Sequence, residues 1–189
     1  LDLLDAIYNR RTIKDFRPDR VPDEVLERVL NAGPWAQNHH LTQPWRFILL
    51  GPQTHRAWAK TSAELQLQSL RTEDAAAREK ARAGAEQKIL AKPRLVAVTY
   101  RLCEDAQQRR EDFAATCCAI QLIQLAAWAE GLGMQWSTNF MTRHPQGYAL
   151  LGIDPAEEEM VGLLYFGYPA EVPAPRARKP LAEVLRRLP

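Results

Sequence analysis

Cysteine, glycine and histidine are all scarce in this chain of 189 residues, which holds 3 Cys, 9 Gly and 4 His, and each scarcity closes off a class of chemistry. The cysteines are odd in number and two of them, Cys117 and Cys118, are adjacent in a helical pattern, so no disulfide framework is indicated. All three read as small buried apolar groups in a reducing compartment. The glycines make no GxGxxG and no GxxxxGK(S/T), which leaves a Rossmann cofactor and a P-loop without support. GxSxG and HExxH are also absent, and with them an α/β-hydrolase triad and a zincin. His39 and His40 are neighbours, and neighbours on a regular element cannot easily chelate one ion. No Cys, Asp or Glu stands near them at a ligand spacing, so no metal is expected.

An excess of one charge is missing too. Lys and Arg number 25 against 23 Asp and Glu, for a net charge of +2, and the two signs are interspersed, so no basic stripe for nucleic acid is present. Long hydrophobic runs are lacking as well. The longest, Ala114 to Ala129, is interrupted by Thr116, Gln121 and Gln124 and reads as too short to span a membrane. Leu1 to Arg11 mixes Asp2, Asp5 and Arg10 into its apolar pattern and does not read as a secretory signal. With 46% apolar and 25% charged residues, the chain reads as a cytoplasmic, globular single domain covering 1–189, large enough for a real core.

Helices and strands can be assigned by periodicity. Leu1 to Asn9 reads as a helix ending at Arg10-Arg11. Pro22-Asp23-Glu24 opens a second, with Val25, Leu26, Val29 and Leu30 at helical spacing and a stop at Gly33-Pro34. Trp45 to Leu50 reads as a buried strand. Thr54 to Leu90 reads as partly exposed helices with a mobile flap around Ser69 to Ala85. Leu95 to Leu102 is a strand, and Glu111 to Glu130 a helix apolar on nearly every face, which requires enclosure by its own domain or by a second subunit. Met134 to Thr138 is a strand, Pro145 to Leu151 a short helix, and Val161 to Phe166 the last strand. The order implies α+β, with a single mixed or antiparallel sheet flanked by helices. Pro169, Pro173, Pro175 and Pro180 mark an extended tail that wraps over another surface.

Several groups of residues could carry chemistry. Arg10, Arg11 and Lys14 place three cations within five residues, directly after the amphipathic Leu3, Leu4 and Ile7. Alone, such a cluster reads either as a solvated helix end, where cations suit the dipole, or as a fork for phosphate oxygens. Arg176 and Arg178, two apart in an extended segment, point the same way, and read equally as ordinary tail or as part of an anion site. Asn38, His39 and Gln43 lie in a polar turn that leads into Pro44-Trp45. Trp136-Ser137-Thr138 ends a strand, where hydroxyls are either satisfied locally or turned to a ligand.

Taken in order and spacing, these pieces resemble the nitroreductase family of FMN-dependent oxidoreductases, most of all its small YdjA-type branch. The resemblance is carried by Arg10 to Phe16, by Asn38 to Phe47, and by Trp136-Ser137-Thr138-Asn139 after Gly131-Leu132-Gly133. It continues through Met160 to Phe166 and Gly167-Tyr168-Pro169 to Arg176-Ala177-Arg178-Lys179-Pro180-Leu181. Gln37 stands where the branch usually has proline, and Gln43 where many members have glutamate.

The resemblance implies a swapped-tail homodimer that binds FMN and uses NAD(P)H and a small-molecule acceptor, with no nucleic acid and no membrane. By the same resemblance, Arg10, Arg11 and Thr12 hold the phosphate and ribityl part and Lys14 meets the pyrimidine edge. Arg176 and Arg178, with Lys179 beside them, close the phosphate site. Asn38, His39 and Gln43 face the flavin of the neighbouring subunit, while Trp136, Ser137 and Thr138 lie near N5. No catalytic side chain is expected, because hydride transfer needs none. The implied activity is ping-pong reduction of nitroaromatics, quinones or similar acceptors. The scaffold also admits reductive dehalogenation, oxygen-dependent flavin chemistry, or flavin binding and sensing without turnover.

Overall fold

The computed structural model describes residues 2–189. Helix α1 spans Leu3–Asn9 and is opened by Asp2, whose carboxylate accepts from the Leu4 N–H; Leu1, at the start of the expected helix, lies outside the described residues. There follow α2 (Asp23–Leu30), β1 (Trp45–Leu49), α3 (Pro52–Gln68), α4 (Ala75–Leu90), β2 (Arg94–Arg101), α5 (Ala106–Ala129), β3 (Gly133–Ser137), α6 (Pro145–Leu151), β4 (Glu158–Gly167) and α7 (Leu181–Val184). The fold is α+β, as expected, and the sheet is antiparallel throughout, in the order β1-β2-β4-β3.

Alternation along the central strands divides the core in two. Val96, Val98 and Tyr100 of β2, with Leu164 and Phe166 of β4, face α2 and α5, where they meet Leu26, Val29, Ile120, Ile123 and Ala127. Leu95 and Ala97, with Leu163 and Tyr165, face the other way, onto Trp58, Met141 and Ile153. Strands covered on both sides carry near-continuous apolar runs, and β4 does so from Met160 to Phe166.

Several expectations need correcting. Helix α5 begins at Ala106 and not at Glu111. Asp105 caps it by accepting from the Gln108 N–H (2.7 Å), and a polar first turn hid that start from the apolar pattern. At 24 residues it is long and apolar enough, by length and composition, to cross a membrane, yet here it packs on the sheet. Of the two expected forms of enclosure, its own chain supplies only part, because Phe113, Ala114 and Gln121 are exposed and Cys117, Cys118 and Leu122 only half-buried. The cysteines, all free, are thus half-buried and not core groups.

The expected flap around Ser69 to Ala85 is mostly the first part of α4, paired with α3. The Arg78 guanidinium donates to the carbonyls of Leu67 (3.4 Å), Leu70 (3.3 Å) and Thr72 (3.1 Å), tying the α3–α4 connection down.

Candidate functional site

The polar run after α1 is held extended against two parts of the sheet. Thr12 bridges Met134 in parallel, and the Ile13 N–H donates to the Met134 carbonyl (3.1 Å). Further on, Phe16 bridges Pro169, the Arg17 N–H donates to Tyr168 O (2.9 Å), and the Ala170 N–H donates to Asp15 O (3.0 Å). The start of the tail is therefore fixed beside the segment that carries the first cations. Ile13 is fully buried, worth roughly 1.5–3 kcal/mol of apolar burial, while Thr12 and Lys14 on either side of it are exposed.

Around this segment lies a cavity of about 700 Å³ lined by Arg10, Arg11, Thr12, Lys14, Asp15, Ala170, Glu171, Pro173, Ala174, Arg176 and Arg178. Six residues singled out from the sequence thus meet at one place, although more than 160 positions separate their two halves. Among the described residues none of its five cations takes part in an ion pair. Arg10 is half-buried, and its pKa is lowered first by burial, then by the like charges of Arg11 and Arg178. Such a cluster raises the energy of the protein alone and lowers that of a complex with an anion.

Arg11 divides its donors. Its Nη1 donates to Tyr8 O (2.8 Å) and Arg10 O (3.0 Å), closing the end of α1, while its buried Nε has no partner among the described residues. Alternation along an extended chain sets Arg11 with buried Ile13 and sets Arg10 with Thr12 and Lys14. Both sequence readings of the cluster therefore apply, to different residues: Arg11 serves a helix end, and Arg10, Thr12 and Lys14 face outward. The outward Arg10 guanidinium, Thr12 hydroxyl and Lys14 ammonium, in a cavity where five cations meet two carboxylates, make a donor set that fits a phosphate monoester.

Trp136 and Ser137 lie on β3 along the edge that binds Thr12 and Ile13, and Thr138 follows the strand end, exposed. The Trp136 indole is engaged inward, donating from Nε1 to Val161 O (3.3 Å). The Asn139 side chain donates from Nδ2 to the buried Tyr165 phenol (3.2 Å), whose pKa is raised by burial and drawn back by Ser137 and Asn139. With the Met134 carbonyl turned to Ile13, alternation turns the Trp136 N–H and C=O to the same, open edge. What this segment offers a ligand is main chain.

The polar turn stands apart from the cation-lined cavity. Asn38 and His39 line a second one, of about 440 Å³, with Gln37, Glu111, Ala114, Ala115 and Cys118; Gln43 lines neither. Lys179 does not line the first cavity.

Sequence reasoning missed Lys92. It is buried at the end of α4, its Nζ donates to the Lys14 carbonyl and stands 5.3 Å from the centre of the Phe16 ring, and burial lowers its pKa. Its only signal was a lysine beside Pro93 at a strand start, which surface lysines share. Asp112 and Thr42, beneath the polar turn, were likewise unmarked.

Residues 7–168 match the model of the nitroreductase family. The chain is 31% identical over 184 residues to YfhC of Bacillus subtilis (strain 168), covering 96% of this chain and 91% of that protein, and YfhC is named as an NAD(P)H nitroreductase by assignment. YdjA of Escherichia coli (strain K12), similarly named, is 28% identical over 178 residues, covering 89% of each. Among solved structures, a nitroreductase-like family protein from Bacillus cereus superposes with a TM-score of 0.84 at 28% identity, covering 100% of this chain and 96% of that one. A Desulfovibrio desulfuricans protein solved in complex with FMN shares the fold, with a TM-score of 0.74 at 24% identity and coverage of 100% and 98%.

Proposed function

The chain belongs to the nitroreductase family, and we propose that it is an FMN-dependent NAD(P)H oxidoreductase that reduces nitroaromatics, quinones or similar acceptors as a homodimer. One observation carries the reading: Arg10, Arg11, Lys14, Arg176 and Arg178 converge on one cavity with no ion-pair partner among the described residues. The terminal monophosphate of FMN supplies the missing charge. Bound FMN would supply the hydride chemistry that connects NAD(P)H to the acceptor.

The residues of this chain bind and orient. Arg10 and Arg178 grip the phosphate, Thr12 offers a hydroxyl beside them, and Lys14 extends the positive potential along the cavity. Trp136 does not line that cavity, and its main-chain groups lie along the β3 edge to which Thr12 is bridged at Met134. No side chain is given an acid or base role, and the proton is taken from water.

Assembly as a dimer is supported by what one chain leaves uncovered. Leu3, Leu4, Ile7 and Tyr8 of α1 are exposed, and so is every residue from Ala170 onward, including Val172, Leu181, Val184 and Leu188. A tail with so much apolar surface and no cover from its own chain suits a second copy.

The test starts with the purified protein. Heat release should yield FMN on chromatography, and NADPH oxidation should rise on adding menadione. Initial rates at several fixed acceptor concentrations should give parallel double-reciprocal lines, because the chain has no dinucleotide fold to hold a second ligand. Finding FAD, or no flavin after reconstitution with excess FMN, would sink the proposal.

A further inference from the structure

The turn that carries Asn38 and His39 is strained. His40 (φ 59°), Leu41 (φ 52°) and Gln43 (φ 45°) all occupy the left-handed region without being glycine, a conformation that persists only where the surroundings enforce it. Leu41 is 76% exposed, so packing at the tip does not supply the enforcement.

A polar relay beneath the turn does. The Asn38 Oδ1 accepts from the Gln43 N–H (2.5 Å), and its Nδ2 donates to Thr42 Oγ1 (3.0 Å). Thr42 in turn donates its hydroxyl to Oδ1 of Asp112, on α5. Asp112 is 3% exposed, and among the described residues no cation pairs with it. A buried carboxylate whose side-chain donor is one hydroxyl is costly, and an apolar residue there would pack without that cost. Its neighbours on α5, Glu111, Ala114 and Ala115, line the same cavity as Asn38 and His39. The relay thus couples the floor of that cavity to the turn forming its rim.

We propose that Asp112 is a positioning residue: through Thr42 and Asn38 it locks the 38–43 turn in its left-handed form and so fixes where Asn38 and His39 stand toward a bound substrate. The proposal rests on the oxidoreductase reading only for its kinetic consequence; the lock itself is a property of the chain. Removing the carboxylate frees the Thr42 hydroxyl, the Asn38 amide loses its fixed orientation, and the Gln43 N–H loses its acceptor. The cation-lined cavity, built from other elements, is unaffected.

The experiment compares Asp112→Ala, Asp112→Asn and Thr42→Val in the protein as purified, by amide hydrogen exchange and by steady-state kinetics with menadione. In Asp112→Ala and Thr42→Val the Gln43 amide should exchange at least roughly ten-fold faster while amides of β2 keep wild-type protection. KM for menadione should rise by roughly ten-fold with a much smaller change in kcat, and FMN content should stay at the wild-type level. Asp112→Asn, which keeps an acceptor oxygen in place, should restore both readouts to within about three-fold. Unchanged Gln43 exchange in Thr42→Val overturns the lock, as does a loss of protection spread evenly over β2. If Asp112→Ala does not fold, Thr42→Val, which deletes one hydroxyl, decides. A protein without flavin or turnover would defeat the oxidoreductase reading while leaving the exchange result to judge the lock.

Discussion

Ile13 lies directly on Gly133: a Cβ built on that glycine would stand 2.6 Å from both Cβ and Cγ1 of Ile13. The contact joins the cation-bearing segment to the first residue of β3 at van der Waals distance. Because Ile13 is held inward by the absence of a side chain at Gly133, Thr12 and Lys14 are turned outward to the cavity.

Gly133→Ala should therefore displace the segment without adding or removing a charge. Overpacking of this kind costs about 1–3 kcal/mol. Thermal unfolding should show that loss, and fluorescence titration should show weaker FMN binding. A variant as stable as the wild type, with the same affinity, would mean that the contact relaxes and positions nothing.

Arg10→Ala should weaken FMN binding by roughly ten- to a hundred-fold, the value of a charge-assisted hydrogen bond of about 1.5–3 kcal/mol. The flavin-free protein should be no less stable than the wild type, since the substitution removes a half-buried cation that Arg11 and Arg178 repel. Titration of the flavin-free protein with FMN, beside its melting curve, separates the two effects. An unchanged dissociation constant would return Arg10 to the role of a solvated helix-end cation.

Among the tail cations, Arg178 should matter most. It acts on Arg10 electrostatically, Arg176 lines the same cavity, and Lys179 does not line it. FMN dissociation constants should rise in the order Lys179→Ala, Arg176→Ala, Arg178→Ala, and the difference should shrink as salt is raised. Equal effects from all three would indicate only a diffuse positive potential.

The helix α5 makes opposite predictions for its two faces. Ile120 and Ile123 are completely buried against β2 and β4, so they belong to the core of one chain and not to a subunit boundary. Ile123→Ala should cost about 2–5 kcal/mol of stability. Phe113, 43% exposed on the uncovered side, is the better probe of assembly. Phe113→Asp should leave a folded chain that sediments as a monomer and loses flavin. A flavin-loaded monomer in the wild type would remove the dimer from the proposal.

Local chemistry made most of the fold legible in the sequence. Apolar runs of strand length at Trp45, Leu95 and Val161, the Gly131 stop and the Pro145 start depend on residues a few positions apart, and each found its place, within a few residues at the ends. The polar first turn of α5 carried no apolar period, and so its start was missed. The cations Arg10, Arg11, Arg176 and Arg178 stand out by type and spacing, but only the family resemblance assigned them to a phosphate. Their meeting could not be inferred from spacing, because it depends on Thr12 bridging Met134 and Phe16 bridging Pro169 across long loops.

The division between Arg10 and Arg11 was likewise a tertiary decision. Both are arginines in one run, and only the burial of Ile13 fixes which side of the extended segment each takes. Lys92 and Asp112 show the limit most plainly. A buried lysine or aspartate reads in sequence as an ordinary surface charge, since what distinguishes it is the hydrogen-bond partner it meets, and those partners lie 78 and 70 positions away. Periodicity and residue type determined the elements, and motif resemblance the candidate ligands. Close packing of distant backbone, above all Ile13 upon Gly133, decided which of them form a site.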